Sequence, residues 1–190
     1  MASPKTICVY CSSSDALDSA FFEAAEALGA EIARQGHALV YGGGKTGLMG
    51  AVARAVQQGG GRVIGVIPEP LYDQCFDTAD EIVVTRDLRE RKAIMEARAD
   101  AFIGLPGGFG TLEEVLEIIT LKQLRFHDKP IVLMNTLGYY DHLLMLFERL
   151  YEHRFAKPAS RQLYHVAPDA PGVVSYIESY VPPEIPAKWF

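Results

Sequence analysis

The chemistry of this chain concentrates in one stretch, "LPGGFGTLEEVLEII", from Leu105 to Ile119. Gly107, Gly108, Gly110 and Thr111 stand between an apolar run and a segment of helical period. A glycine turn that opens a helix attracts anions, because its free N–H groups and the helix dipole point the same way. Glu113 and Glu114 fall in the same turn and would repel an anion. On the residues alone, Thr111 to Glu114 spells T-x-x-E, the capping box in which the glutamate reaches back to the N-cap N–H, and this is the favoured reading. The other reading aims Glu114 at a ligand. Upstream, Arg91 and Lys92 fall soon after an apolar run, where a cation can meet a phosphate or a carboxylate. Arg86, Arg89 and Arg98 alternate with Asp87, Glu90 and Glu96, as a solvated helix face does.

A second glycine turn, "YGGGKTGLMG" (41–50), satisfies G-x-G-x-x-G through Gly42, Gly44 and Gly47. It follows the second strand rather than the first, so tight turns and close helix packing account for it better than a dinucleotide does. "GKT" lacks the glycine a P-loop needs five positions earlier, where Leu39 stands. Cys8 and Cys11 form C-x-x-C inside and at the edge of a strand, as small buried residues rather than a reactive pair. The five histidines show no ligand spacing, so no metal and no cofactor are expected.

These residues need elements to hold them. Apolar, β-branched runs at 6–11, 38–43, 62–68, 81–85, 101–106 and 130–135 read as strands. Segments near 17–36, 47–58, 87–98, 111–125 and 139–153 read as helices, with Gly36 ending the first. "YHVAP" adds a further strand, and 170–180 a last helix. Continuous apolar strands alternating with helices predict a Rossmann-like, doubly wound parallel sheet with helices on both faces, in a single domain. The unusual turns, "CSSS" (11–14), 41–50, 68–70, 86–92 and 106–111, all follow strands and so share the carboxyl rim where such sheets bind ligands. The chain has 190 residues and a net charge of −6, which argues against nucleic acid and anionic membranes as partners and favours a small molecule. The N-terminus does not read as a signal peptide, and three cysteines fit a reducing compartment, so a cytoplasmic location is expected.

"PGGFGTLEE" (106–114), with "RK" (91–92) and "YGGGKTGLMG" before it, resembles the LONELY GUY family of cytokinin-activating phosphoribohydrolases, whose relatives have often been labelled lysine decarboxylases. The likeness runs from "CVYCSSS" to "HDKPIVLMN". It implies hydrolysis of nucleoside 5′-monophosphates, among them AMP and N6-prenylated adenosine monophosphates, to free base and ribose 5-phosphate. Arg91 and Glu114 match the family's catalytic pair. Lys92, Thr120 and the segment Gly107, Gly108, Phe109, Gly110, Thr111, Leu112 and Glu113 match substrate-contacting positions. Ser13, Gly43, Gly44 and Met95 are added as rim contacts. The resemblance also implies a homodimer with active sites near the subunit interface. Where related sequences often read M-H-x-R-K, this chain has Leu88 and Arg89 in place of methionine and histidine.

Overall fold

The computed structural model describes residues 3–184. Seven strands form one sheet: β1 (Thr6–Tyr10), β2 (Ala38–Tyr41), β3 (Val63–Pro68), β4 (Glu81–Thr85), β5 (Ala101–Gly104), β6 (Ile131–Met134) and β7 (His165–Ala167). Their order across the sheet is β4-β3-β2-β1-β5-β6-β7, and every pairing is parallel. The six main strand expectations hold, and "YHVAP" supplies the seventh.

Helices α1 (Ser19–Arg34), α2 (Gly47–Gln58) and α6 (Ala170–Ser179) cover one face, and α3 (Leu88–Arg98), α4 (Phe109–Gln123) and α5 (Asp141–Glu152) the other. The two-residue period of β1 sorts its side chains between them. Ile7 and Val9 join Leu28, Ile32, Val52 and Val173 on the first face, whereas Cys8 and Tyr10 join Met95, Val115 and Ile118 on the second. Both layers are therefore dry, as a doubly covered parallel sheet requires. No described helix is long and apolar enough to cross a membrane.

The helix starts that matter lie on the carboxyl rim. Asp87 caps α3, its carboxylate accepting from the N–H groups of Arg89 (2.8 Å) and Glu90 (2.9 Å). The N-terminus of α2 is filled from within the protein: Asp15 accepts from Gly47 N–H at 2.7 Å, and the Thr46 hydroxyl donates to the Ser13 carbonyl at 3.0 Å. Gly47 has φ +59°, and a β-carbon there would collide with the Ser13 backbone.

The capping box is not formed. Helix α4 starts at Phe109, three residues earlier than T-x-x-E requires, with Gly108 as N-cap and no side-chain cap. Thr111 is thus inside the first turn and buried against Gly107, where a β-carbon would overlap its side chain. The missing side chain at Gly107 lets the helix begin early.

Candidate active site

The loop Cys11 to Ser14, the start of α3 and the N-terminus of α4 enclose a cleft of about 440 Å3. Its walls are Cys11, Ser12, Ser13, Ser14, Met49, Leu88, Arg91, Lys92, Gly108, Gly110, Thr111, Glu113 and Glu114. The first intrahelical bond of α4 runs from Leu112 N–H to the Gly108 carbonyl at 3.1 Å. The N–H groups of Phe109, Gly110 and Thr111 precede that ladder. Gly108 and Gly110 lack any neighbour within 4 Å of a β-carbon position, so the turn stands open.

At the floor, Arg91 Nη2 donates to Glu114 Oε1 at 2.7 Å, with both residues buried. Burial pushes the Glu114 carboxyl up to about 7, while the Arg91 guanidinium pulls it back down. Arg91 keeps a second donor, Nε, that is buried and unpartnered. Gly42 makes room for this arginine: a β-carbon there would lie 2.5 Å from Arg91 Nη2. The outer cation is differently held. Lys92 is bonded to Glu113 and lies 2.8 Å from Glu117. Burial opposes its charge, yet the two carboxylates outweigh burial and lift Lys92 above its ordinary value.

Of the residues singled out from sequence, Arg91, Glu114, Lys92, Gly108, Gly110, Thr111, Glu113 and Ser13 line the cleft. Gly107 lies behind the turn against Thr111, Phe109 projects outward at 94 % exposure, and Leu112 packs on the α3–α5 side of the sheet. Thr120 is exposed on α4, where its hydroxyl donates to the Leu116 carbonyl at 2.7 Å. Three residues expected on the rim do not line the cleft. Met95 is fully buried in the core, because it points down from α3 onto the sheet. Gly43 and Gly44 are also buried and are joined to the segment after β3, through Phe76 N–H to the Gly43 carbonyl (2.9 Å) and the bridge between Gly44 and Cys75. Cys11, Ser12, Ser14, Met49 and Leu88 also line the cleft, none of them named as a site residue from the sequence, although "CSSS" had marked its loop as part of the rim. Cys8 and Cys11 are free and buried, and burial pushes both thiols up, the opposite of activation.

Architecture and cleft place the chain among Rossmann-like α/β proteins, whose ligands gather at the carboxyl rim of the sheet. Known proteins narrow the class. A family described as "Possible lysine decarboxylase" matches residues 49–177. A rice (Oryza sativa subsp. japonica) protein named "Probable cytokinin riboside 5'-monophosphate phosphoribohydrolase" is 47% identical over 180 residues, covering 94% of this chain and 79% of its own length. A cytokinin riboside 5′-monophosphate phosphoribohydrolase of Arabidopsis thaliana is 46% identical over 180 residues, 94% of this chain and 84% of its own. Among solved structures, the molybdenum cofactor carrier protein of Chlamydomonas reinhardtii superposes with a TM-score of 0.71 at 27% identity, over 92% of this chain and 96% of that one. The chain belongs to the cytokinin riboside 5′-monophosphate phosphoribohydrolase, or LONELY GUY, family.

Proposed function

We propose that this protein hydrolyses the N-glycosidic bond of cytokinin riboside 5′-monophosphates, and of AMP, to free base and ribose 5-phosphate. The observation that carries this reading is the buried Arg91–Glu114 pair beside an open helix N-terminus, in a chain 47% identical to a relative bearing that name. The 5′-phosphate rests on the N–H groups at the start of α4, with the Thr111 hydroxyl as a further donor. Glu114 then faces the ribose. As the base departs, positive charge grows on the sugar, and a fixed carboxylate stabilises it and positions the attacking water. Arg91 holds Glu114 in place and favours its ionised form. Fixing the phosphate fixes the ribose, and such positioning contributes several of the ~7–11 kcal/mol available from proximity.

The name "lysine decarboxylase" implies a pyridoxal phosphate enzyme, and the cleft does not fit one. A Schiff-base lysine must shed its proton readily. Lys92, the lysine on this cleft, is held charged by Glu113 and Glu117. It braces α3 against α4 and orients the wall of the site.

A homodimer is part of the proposal. Phe109 beside the cleft, and Leu116, Leu124 and Phe126 along and just beyond α4, expose apolar surface. A second subunit seated there would cover them and bring Thr120 toward the partner's cleft. Sedimentation of the purified chain as a monomer would remove this part. The activity itself is tested by incubating the protein with AMP and with isopentenyladenosine monophosphate. Free base and ribose 5-phosphate in equal amounts are expected from at least one of them; binding of both without release would leave a nucleotide-binding protein instead.

A further inference from the structure

Three successive carbonyls lead from β5 into the cleft, and each accepts a hydrogen bond from a donor elsewhere in the fold. The Leu105 carbonyl accepts from the Tyr140 hydroxyl at 2.6 Å, the Pro106 carbonyl from Ser12 N–H at 3.2 Å, and the Gly107 carbonyl from the Tyr139 hydroxyl. Two of the three donors are adjacent tyrosines from a distant part of the chain. We propose that Tyr139 and Tyr140 are positioning residues that lock the glycine turn with its N–H groups, and not its carbonyls, presented to a phosphate. This inference rests on the reading of that turn as the phosphate cradle.

The argument starts with the peptide plane. In a trans peptide the carbonyl of one residue and the N–H of the next point in opposite directions, and the described chain has no cis peptides. Holding the Gly107 carbonyl toward Tyr139 therefore fixes the Gly108 N–H on the opposite side. Glycine needs such a restraint more than other residues do, since it visits both signs of φ with little penalty. Gly107 and Gly108 are consecutive, and no side chain of their own resists a flip. A flipped plane would present a carbonyl oxygen to an anion, replacing attraction with repulsion.

The segment that carries the tyrosines is itself braced. Asn135 Oδ1 accepts from Tyr140 N–H at 2.7 Å, and Asn135 Nδ2 donates to Asp141 Oδ1 at 2.7 Å. Between them Leu137 takes φ 54° and Gly138 φ 72°. A non-glycine residue in the left-handed region is uncommon, and here the bend delivers two neighbouring side chains to carbonyls two residues apart. Tyr140 is fully buried, with its ring edge-on to Tyr139 at 5.1 Å between centroids. Tyr139 is 41 % exposed and meets Phe21 of α1 edge-on. Its hydroxyl can be removed without opening the core.

The test compares the protein with Tyr139→Phe, Tyr140→Phe and a control, Tyr151→Phe, which removes a hydroxyl paired with Tyr164 away from the cleft. Binding of ribose 5-phosphate and of inorganic phosphate is measured by calorimetry, alongside kcat and KM for AMP and the thermal midpoint. Tyr139→Phe should weaken both anions and raise KM about three- to tenfold, the cost of one hydrogen bond. Its kcat should stay within twofold, with little change in melting. Tyr140→Phe should do the same with a lower melting temperature, and Tyr151→Phe should leave both anions unchanged. Unaltered anion binding in Tyr139→Phe, with binding intact in the parent protein, overturns the inference alone. Failure of the parent protein to bind either anion overturns the cradle and the inference with it. Binding without hydrolysis removes the proposed activity and leaves the role of the tyrosines standing.

Discussion

The protein has two glycine-rich turns, each leaving a strand and entering a helix, and they are used in opposite ways. In the turn before α2, the space that the glycines leave is occupied by the protein. Arg91 abuts Gly42, Met49 abuts Gly44, and the Ser13 backbone abuts Gly47, while Asp15 takes the N-terminus of the helix. In the turn before α4, Gly108 and Gly110 face open space and the helix lacks a side-chain cap. The first turn matches a ligand-binding fingerprint more fully on paper, yet the second is the one left free for a ligand. A glycine pattern reports close approach, and only the fold reveals whether the approaching group is substrate or protein.

Substitutions can break this contrast. The largest effect is expected at the group that faces the open turn. Glu114→Gln should lower kcat by about a hundred- to a thousandfold, as loss of a transition-state electrostatic contact does, with the melting temperature largely kept. The parent enzyme should gain activity as pH rises through about 7, because burial raises the pKa of Glu114 and catalysis uses its ionised form. Glu114→Gln should flatten that limb. Replacing Arg91 by alanine removes the cation that pulls the carboxyl down, so its limb should move to higher pH. A parent profile flat from pH 6 to 8 would sink the ionised-Glu114 assignment.

The next effects separate the turns directly. Gly47→Ala must place a side chain at positive φ against backbone, and should destabilise the fold by about 2 kcal/mol or more in denaturant titrations. Gly108→Ala meets no protein atom within 4 Å. Its stability should stay within about 0.5 kcal/mol of the parent, while KM for AMP rises several-fold because the methyl group intrudes on the phosphate. A stability loss at Gly108, or a pure KM effect at Gly47, would reverse the comparison.

Much of the architecture could be read in the sequence, because apolar runs and helical spacing are local signals. The helix 47–58 agrees end to end with the structure, and "YHVAP" holds the seventh strand. Strand order was not legible, since nothing local says that β1 sits between β2 and β5. Within the site, Glu114 read best as a helix cap from its neighbours; the family resemblance paired it with Arg91, and that partner, 23 positions away in the chain, meets it only in the folded protein. The role of Gly42 was hidden for the same reason: it depends on an arginine delivered by α3. The burial of Met95 was not legible because the register of α3 on the sheet, which turns Arg91 toward the cleft and Met95 toward the core, follows from packing.

The position of β1 has a consequence for how the protein is made. As the chain emerges from the ribosome, β1 can pair with β2, and β3 and β4 can extend that side, before β5 has left the exit tunnel. Strands β5, β6 and β7 must then be added to the other edge of β1, which waits uncovered in the meantime. Arg91 is carried by the early half and Glu114 by the late one. The cleft therefore has no precursor in the nascent protein, and it comes into being at the moment the second half closes over that waiting edge.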